Sequence, residues 1–490
     1  MKRFFSILLA TLLIACSFSF VGCANQDGET TVLRICNCED YIDETLLEKF
    51  EEDTGIKVEY STFGTNENLY NELVINPNSY DLVVPSEYMI QKLAVEGRLN
   101  KLVHSNVPNY EQYLSNYIKG KLESITFEIE EGEYQGENAN LSEFMVGYMW
   151  GTMGWVYNTK VTGIEDNVKT WYGPFENSSL NGKITIKDAV RDSYIVGLSM
   201  VYEQELYGKT NAEITQILNR TDKTSIKKVQ EKLNSLKPML YGFELDDGKN
   251  HIILGNIDAY VAWSGDAAYA IDVATGEVED EDGNKLEGNA RRSISYYIPE
   301  EGSNIWFDGL VMPAGSNNYD AVYKFLDFIC DPENVCANMD YIGYTSVIAS
   351  DEIFESIPKG WNEELAVGEG KEIDLSYFFG QGDYTITVSD EMYGRVIAQY
   401  PTEEIVNRCA VMEYFKKDVI MDINDMWEQV KGETFPTWLI ILVAVLVVLI
   451  GIAIVIIRNK EKFSWLKLPE NDKTYYERKG YKVIKKEDIL

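Results

Sequence analysis

Histidine is almost missing: among 490 residues only His104 and His251 occur, too far apart in sequence to form a local ligand pair. That removes the usual His-based zinc and catalytic constellations. The chain also lacks a GxSxG elbow, an HExxH helix, a Walker loop and a GxGxxG fingerprint, which moves weight from catalysis toward binding. Basic residues are scarce, 44 Lys plus Arg against 79 Asp plus Glu, and the net charge of −35 repels a phosphate backbone. Nucleic acid drops out as a partner, and a cation fits. With 12 Pro and 36 Gly beside 45% apolar residues, neither a collagen-like repeat nor disorder applies. The length suits more than one domain, and a two-lobed protein is the first expectation.

Cysteine is too sparse for a disulfide framework. Once Cys16 and Cys23 are set aside for the reasons below, the odd remainder is Cys36, Cys38, Cys330, Cys336 and Cys409. One pair, such as Cys330 with Cys336, stays open on sequence alone.

Long apolar runs are confined to the two ends. Lys2 and Arg3 precede an apolar run over 4–15, and small residues lead to Val21-Gly22-Cys23, the layout of an export signal removed after residue 22. A cysteine directly after a small residue at the cut resembles a bacterial lipobox, with Cys23 as the lipidated N-terminus. Residues 438–457 carry no charge, enough helix at about 1.5 Å per residue to cross a hydrocarbon core of about 30 Å. Arg458, Lys460 and Lys462 follow at once. The positive-inside bias therefore places the tail 458–490 in the cytoplasm and the main domain outside.

Between these ends, strand and helix patterns alternate. Val32 to Cys36 reads as a strand, and Asp43 caps a helix carrying Leu46, Leu47 and Phe50 that Gly55 ends. Ile56 to Tyr60 returns to strand, a helix carries Leu69, Leu73 and Val74, and a strand over Asp81 to Pro85 precedes a helix started by Ser86. A second set runs through Ile184-Thr185-Ile186, a helix beginning near Asp188, a helix over 226–236 and a strand over Ala259 to Trp263. Met145 to Asn158 looks like an extended segment leaving the first lobe. The expectation is α/β with a largely parallel sheet, ligand groups sitting where strands deliver their C-terminal ends into a crevice. Two acidic, Gly-bearing stretches, 128–137 and 277–287, read as surface loops. Val278 stands where an EF-hand needs an oxygen ligand, so no metal site is expected there.

Several ordered segments carry a resemblance: Asn37-Cys38-Glu39-Asp40-Tyr41, Thr54-Gly55-Ile56-Lys57-Val58, Ser61 to Asn68, Tyr80 to Ser86, Trp306-Phe307-Asp308 and Ile342-Gly343-Tyr344. Over residues 31–430 the sequence resembles the extracytoplasmic solute-binding proteins of bacterial polyamine ABC importers, the spermidine/putrescine-binding family. The resemblance implies a two-lobed type II periplasmic-binding-protein fold with a hinge, lobe 1 at 23–147 and 309–360, lobe 2 at 148–308 and 361–430. It also implies a non-enzymatic receptor without a cofactor, its partners being a polyamine, a permease and ATPase subunits. A protonated polyamine presents ammonium groups separated by methylene runs. Its site needs spaced carboxylates for charge-assisted hydrogen bonds and flat rings for the stem and for cation–π contact.

By resemblance, Tyr41, Ser86 and Tyr88 belong to the site on the first lobe. Asp192 with Asp188 comes from the second-lobe helix, Trp263 from beyond its strand, Trp306 and Asp308 from near the hinge, and Tyr344 from a returning segment. Trp306 and Asp308, two apart on a strand, are expected to point the same way. For each there is a plainer reading: a core ring, a helix cap for Asp192, or packing for any one of 32 tyrosines. Cys38 and Glu39 depart from the family's usual residues and are candidate ligand contacts, and Met412 falls where an amide is expected. A receptor for another organic cation and a membrane-tethered sensor remain the alternatives.

Overall fold

The computed structural model describes residues 31–275, 293–357 and 370–432, together with 445, 449 and 450. The chain opens with β1 (Val32–Cys38), α1 (Glu44–Thr54), β2 (Lys57–Phe63), α2 (Asn66–Ile75), β3 (Leu82–Val83) and α3 (Glu87–Val95). Local chemistry sets these boundaries. The Asp43 side chain accepts the Thr45 N–H at 3.0 Å to cap α1, and Gly55 ends it at φ 72°, a left-handed conformation that costs glycine little. Helix α1 then buries Leu46, Leu47 and Phe50, the stripe its spacing predicts. β2 and β3 both run parallel to β1, as crossover units require.

The chain then leaves this unit along β4 (Met145–Asn158), fourteen residues buried everywhere except at its last. A second parallel set follows: β5 (Ile184–Lys187), α4 (Val190–Val201), β6 (Leu240–Glu244), α5 (Gly248–Leu254), β7 (Ala259–Trp263) and α6 (Ser264–Thr275), with β5 between β6 and β7. The return strand is β8 (Ser303–Val311). The main path across the sheet reads β2-β1-β3-β8-β4-β7-β5-β6.

The largely parallel sheet expected from sequence needs correction at its centre. β4 runs antiparallel to β8 from Met145 to Thr152, then antiparallel to β7 from Met153 to Tyr157. One strand carries the chain out of the first unit and the other carries it back, so the shared strands must oppose each other. The change of partner at Thr152 and Met153 joins the two halves, and the C-terminal ends of β1, β5 and β7 bring their loops to one crevice.

The acidic stretch 128–137 closes a small hairpin, Thr126–Glu128 pairing with Asn138–Asn140. The other, 277–287, lies outside the described residues, as do the expected signal with Cys23 and the tail 458–490. No helix among the described residues is long and apolar enough to cross a membrane, and the expected span 438–457 lies outside them apart from three positions. Cys36, Cys38, Cys330, Cys336 and Cys409 form no disulfide, so the pair Cys330 and Cys336 does not close.

Candidate functional site

The crevice encloses about 780 Å³ including its open mouth, within the range of small-molecule sites. From the first half it is lined by the turn after β1 (Cys38, Glu39, Asp40, Tyr41), the start of α2 (Asn66, Glu67) and the start of α3 (Ser86, Tyr88). From the second half come Asp192, Asp246, Lys249, Trp263 and Asp266, while Trp306, Asp308, Tyr344 and Met412 complete the wall.

Tyr41 is fixed from behind. The Asn37 amide donates to its carbonyl at 3.3 Å and the Tyr148 hydroxyl at 2.6 Å, and Asn338 holds Tyr148 in turn at 2.7 Å. Its hydroxyl then donates to Asp308 Oδ2 at 2.6 Å. Asp308 sits where β8 breaks register with β4 between Phe307 and Gly309, and its backbone bridges Ser86 instead. Such irregularities re-aim a side chain out of the ladder. The result is a carboxylate only 7% exposed whose Oδ1 has no hydrogen-bond partner. Burial pushes Asp308 up to about 6, and the Tyr41 hydroxyl offsets that only in part.

Two more carboxylates share this end. Asp192 lies in the first turn of α4, where the helix dipole favours negative charge, and accepts the Trp263 indole N–H at 3.3 Å. Glu67 accepts the Tyr88 hydroxyl at 3.2 Å. Burial raises both above the ordinary carboxylate range. None of the three is ion-paired to a lysine or arginine among the described residues, although Lys187 and Arg191 favour the charged Asp192 from farther off and Arg191 does so for Glu67. Desolvated negative charge without a partner is costly, and it is relieved by a proton or by a bound cation.

The rings stand between this end and another. Tyr41 meets Tyr344 edge-on at 4.9 Å, and Trp306 lies 5.7 Å from Tyr344. Glycine makes both placements possible. A Cβ on Gly265 would lie 2.2 Å from the Tyr344 ring, and one on Gly151 would lie 2.5 Å from Trp306. The Trp306 indole donates to the Thr152 carbonyl at 3.2 Å, locking the ring at the junction of the two halves.

At the far end Tyr344 donates to Asp266 Oδ1 at 3.0 Å. Here the carboxylates have cations of their own. Lys187 Nζ is 3.2 Å from Asp266 and 3.8 Å from Glu244, donates to the Leu245 carbonyl at 2.6 Å and covers the Trp263 ring at 3.9 Å. Burial lowers the Lys187 ammonium, but Glu244 and Asp266 outweigh it and hold the group above its usual value. Lys249 Nζ lies 3.6 Å from Asp40 and 3.9 Å from Asp266. Asp40 reaches it from a left-handed turn at φ 49°, which Asp tolerates better than most residues. Burial pushes Asp246 up to about 6 and Glu244 up to about 7.

The structure thus brings Tyr41, Ser86, Tyr88, Asp192, Trp263, Trp306, Asp308 and Tyr344 to one cleft, and Cys38 and Glu39 with them. Asp188 is the exception: its neighbour Ala189 lines the crevice and Asp188 does not. The cause is helix register, since Ala189 is the residue before α4 and Asp192 falls in its first turn, while Asp188 precedes both. Sequence reasoning passed over Glu67, Asp246, Lys249, Asp266 and Lys187. Asp266 follows Trp263 by three residues at the start of a helix, a readable signal, whereas nothing local marks Lys249. Among the described residues no group of three or more His, Cys, Asp or Glu side chains is arranged to hold a metal ion.

The profile of the family described as bacterial extracellular solute-binding protein matches residues 45–357. A putrescine-binding periplasmic protein of Pseudomonas aeruginosa, SpuD, is 28% identical over 348 residues, spanning 70% of this chain and 84% of the relative. The spermidine/putrescine-binding periplasmic protein of Salmonella typhimurium is 25% identical over 345 residues, spanning the same shares. The solved structure of a spermidine/putrescine ABC transporter substrate-binding protein, PotD, from Streptococcus pneumoniae superposes with a TM-score of 0.56 at 26% identity, covering 82% of this chain and 98% of that one.

Proposed function

The chain belongs to the bacterial extracellular solute-binding proteins, receptors and not enzymes, and we propose that it is the polyamine receptor of an ABC importer. It captures a putrescine- or spermidine-type cation outside the cell and hands it to a permease driven by ATPase subunits on other chains. One observation carries this reading: Asp308 and Asp192, both buried, and Glu67, half-buried, face a ring-walled cleft as carboxylates with no ion-pair partner among the described residues. An ammonium entering there restores the favourable ionised state of each carboxylate, and Tyr41, Tyr344, Trp306 and Trp263 cover the methylene stem.

The groups come from both halves of the sheet, so the cleft is complete only when the halves approach. Binding is then a population shift toward the closed arrangement about β4 and β8. Charge-assisted contacts formed on closure, away from water, supply the affinity. No bond is made or broken.

We further propose that the receptor is held at the membrane by a lipid on Cys23 and by a helix over 438–457, with residues 458–490 in the cytoplasm. Fractionation of Cys23→Ala and of a chain ending at 436 tests each anchor: either alone should keep the protein with the membrane, and loss of both should release it. The ligand reading is tested by calorimetry with putrescine, spermidine and spermine at low salt. Saturable heat from at least one is expected. Silence from all three ends the assignment.

A further inference from the structure

Resting on the polyamine reading, we propose that Lys249 stands in the cleft where a second ligand ammonium would sit, so that the site selects a short diamine over the triamine spermidine. A lysine side chain is a primary ammonium on four methylenes, chemically a ligand amine tethered to the chain. Lys249 rises from the start of α5 in the second half and spans to Asp40 of the first, its side chain only 15% exposed. Its ammonium lies 3.6 Å from Asp40 and 3.9 Å from Asp266, within ion-pair reach of both yet beyond hydrogen-bond distance of either.

Lys187 makes the effect permanent. Its side chain is 0% exposed, its ammonium donates to the Leu245 carbonyl, and it covers one face of the Trp263 ring at 3.9 Å. The carboxylates of the Asp266 end are therefore already engaged by two lysine ammoniums before any ligand arrives. Asp308 and Asp266 are tied to the hydroxyls of Tyr41 and Tyr344, whose rings touch, so the carboxylates mark two stations along one wall. A diamine anchored at Asp308 leaves the lysine station undisturbed. A triamine extends a further ammonium toward Asp266 and Asp40, whose charge Lys249 and Lys187 already compensate, so that ammonium is desolvated without a carboxylate of its own.

The test is calorimetric titration of putrescine and of spermidine into the wild-type protein, Lys249→Met and Lys249→Arg. Putrescine should bind the wild type at least about tenfold more tightly than spermidine. Lys249→Met should shrink or invert that ratio by about tenfold, and Lys249→Arg, which keeps the charge, should preserve it. Lys249→Gln replaces the methionine variant if that one does not fold. Spermidine equal to or tighter than putrescine in the wild type, or a ratio unmoved in Lys249→Met, overturns the inference and leaves the polyamine reading standing. If neither amine binds any of the proteins, the polyamine reading falls and the inference falls with it.

Discussion

At one end of the cleft Asp308, Asp192 and Glu67 face the ligand space without an ion-pair partner among the described residues, whereas at the other Asp266, Asp246, Glu244 and Asp40 surround Lys187 and Lys249. The residue types are the same and their surroundings are not. Where a carboxylate has its own lysine, its charge belongs to the fold, and removing it strands a buried cation. Where it has none, its charge is a cost to the empty protein that a ligand cation repays. The comparison therefore predicts that carboxylate substitutions separate into those felt as stability and those felt as affinity.

The largest effect is expected at the lysine end. Asp266→Asn takes from Lys187 its nearest carboxylate and leaves Glu244 at 3.8 Å, and breaking a buried pair in this way costs about 3 kcal/mol, read by chemical denaturation of the ligand-free protein. A loss under about 1 kcal/mol would place Asp266 with the ligand instead. Next comes the opposite end: Asp308→Asn removes an acceptor of charge-assisted bonds worth about 2 to 3 kcal/mol, so the putrescine Kd should rise about 30- to 100-fold. The ligand-free protein should be as stable as the wild type or more so, because a desolvated charge has gone. A destabilised Asp308→Asn protein with unchanged affinity would reverse the assignment of the two ends.

A smaller and sharper effect follows from titration. Asp308 ionises at about 6 in the folded protein against about 3.9 in an unfolded chain, so between those values the folded state binds the extra proton. The group costs stability above about pH 6, and that cost disappears as the pH falls toward 4. Tyr41, Ser86 and Asp192 face it; the two hydroxyls lower its pKa and Asp192 raises it. Acidification from pH 7.5 to 5 should therefore stabilise the wild type relative to Asp308→Asn while weakening its hold on putrescine by about tenfold. Identical pH profiles for the two proteins would show that Asp308 does not titrate in this range.

Much of this arrangement was legible in the sequence where the controlling interactions are local. Asp43, Gly55 and the Leu46, Leu47 and Phe50 stripe define α1 within a dozen residues, and the structure follows them. Trp306 and Asp308 were also marked, although the regular pleat assumed for them is broken by the register shift that turns Asp308 into the cleft. Helix register places Asp192 in the crevice wall and leaves Asp188 out of it, and a one-residue difference at the start of a helix is not readable from composition. The lysine end was hidden for another reason. Lys187 closes a strand and Lys249 opens a short helix, positions that usually face water. Only the packing of β5, β7 and α5 brings both against Asp266. The antiparallel β4 and β8 pair escaped notice because a strand buried on both faces carries no alternation.

The most direct measurement is a crystal structure with putrescine bound. The account predicts an amine nitrogen about 2.8 Å from Asp308 Oδ1, the oxygen with no hydrogen-bond partner in the protein, with Lys249 still between Asp40 and Asp266. A nitrogen seated on Asp266 with Lys249 displaced, and Asp308 untouched, would contradict it.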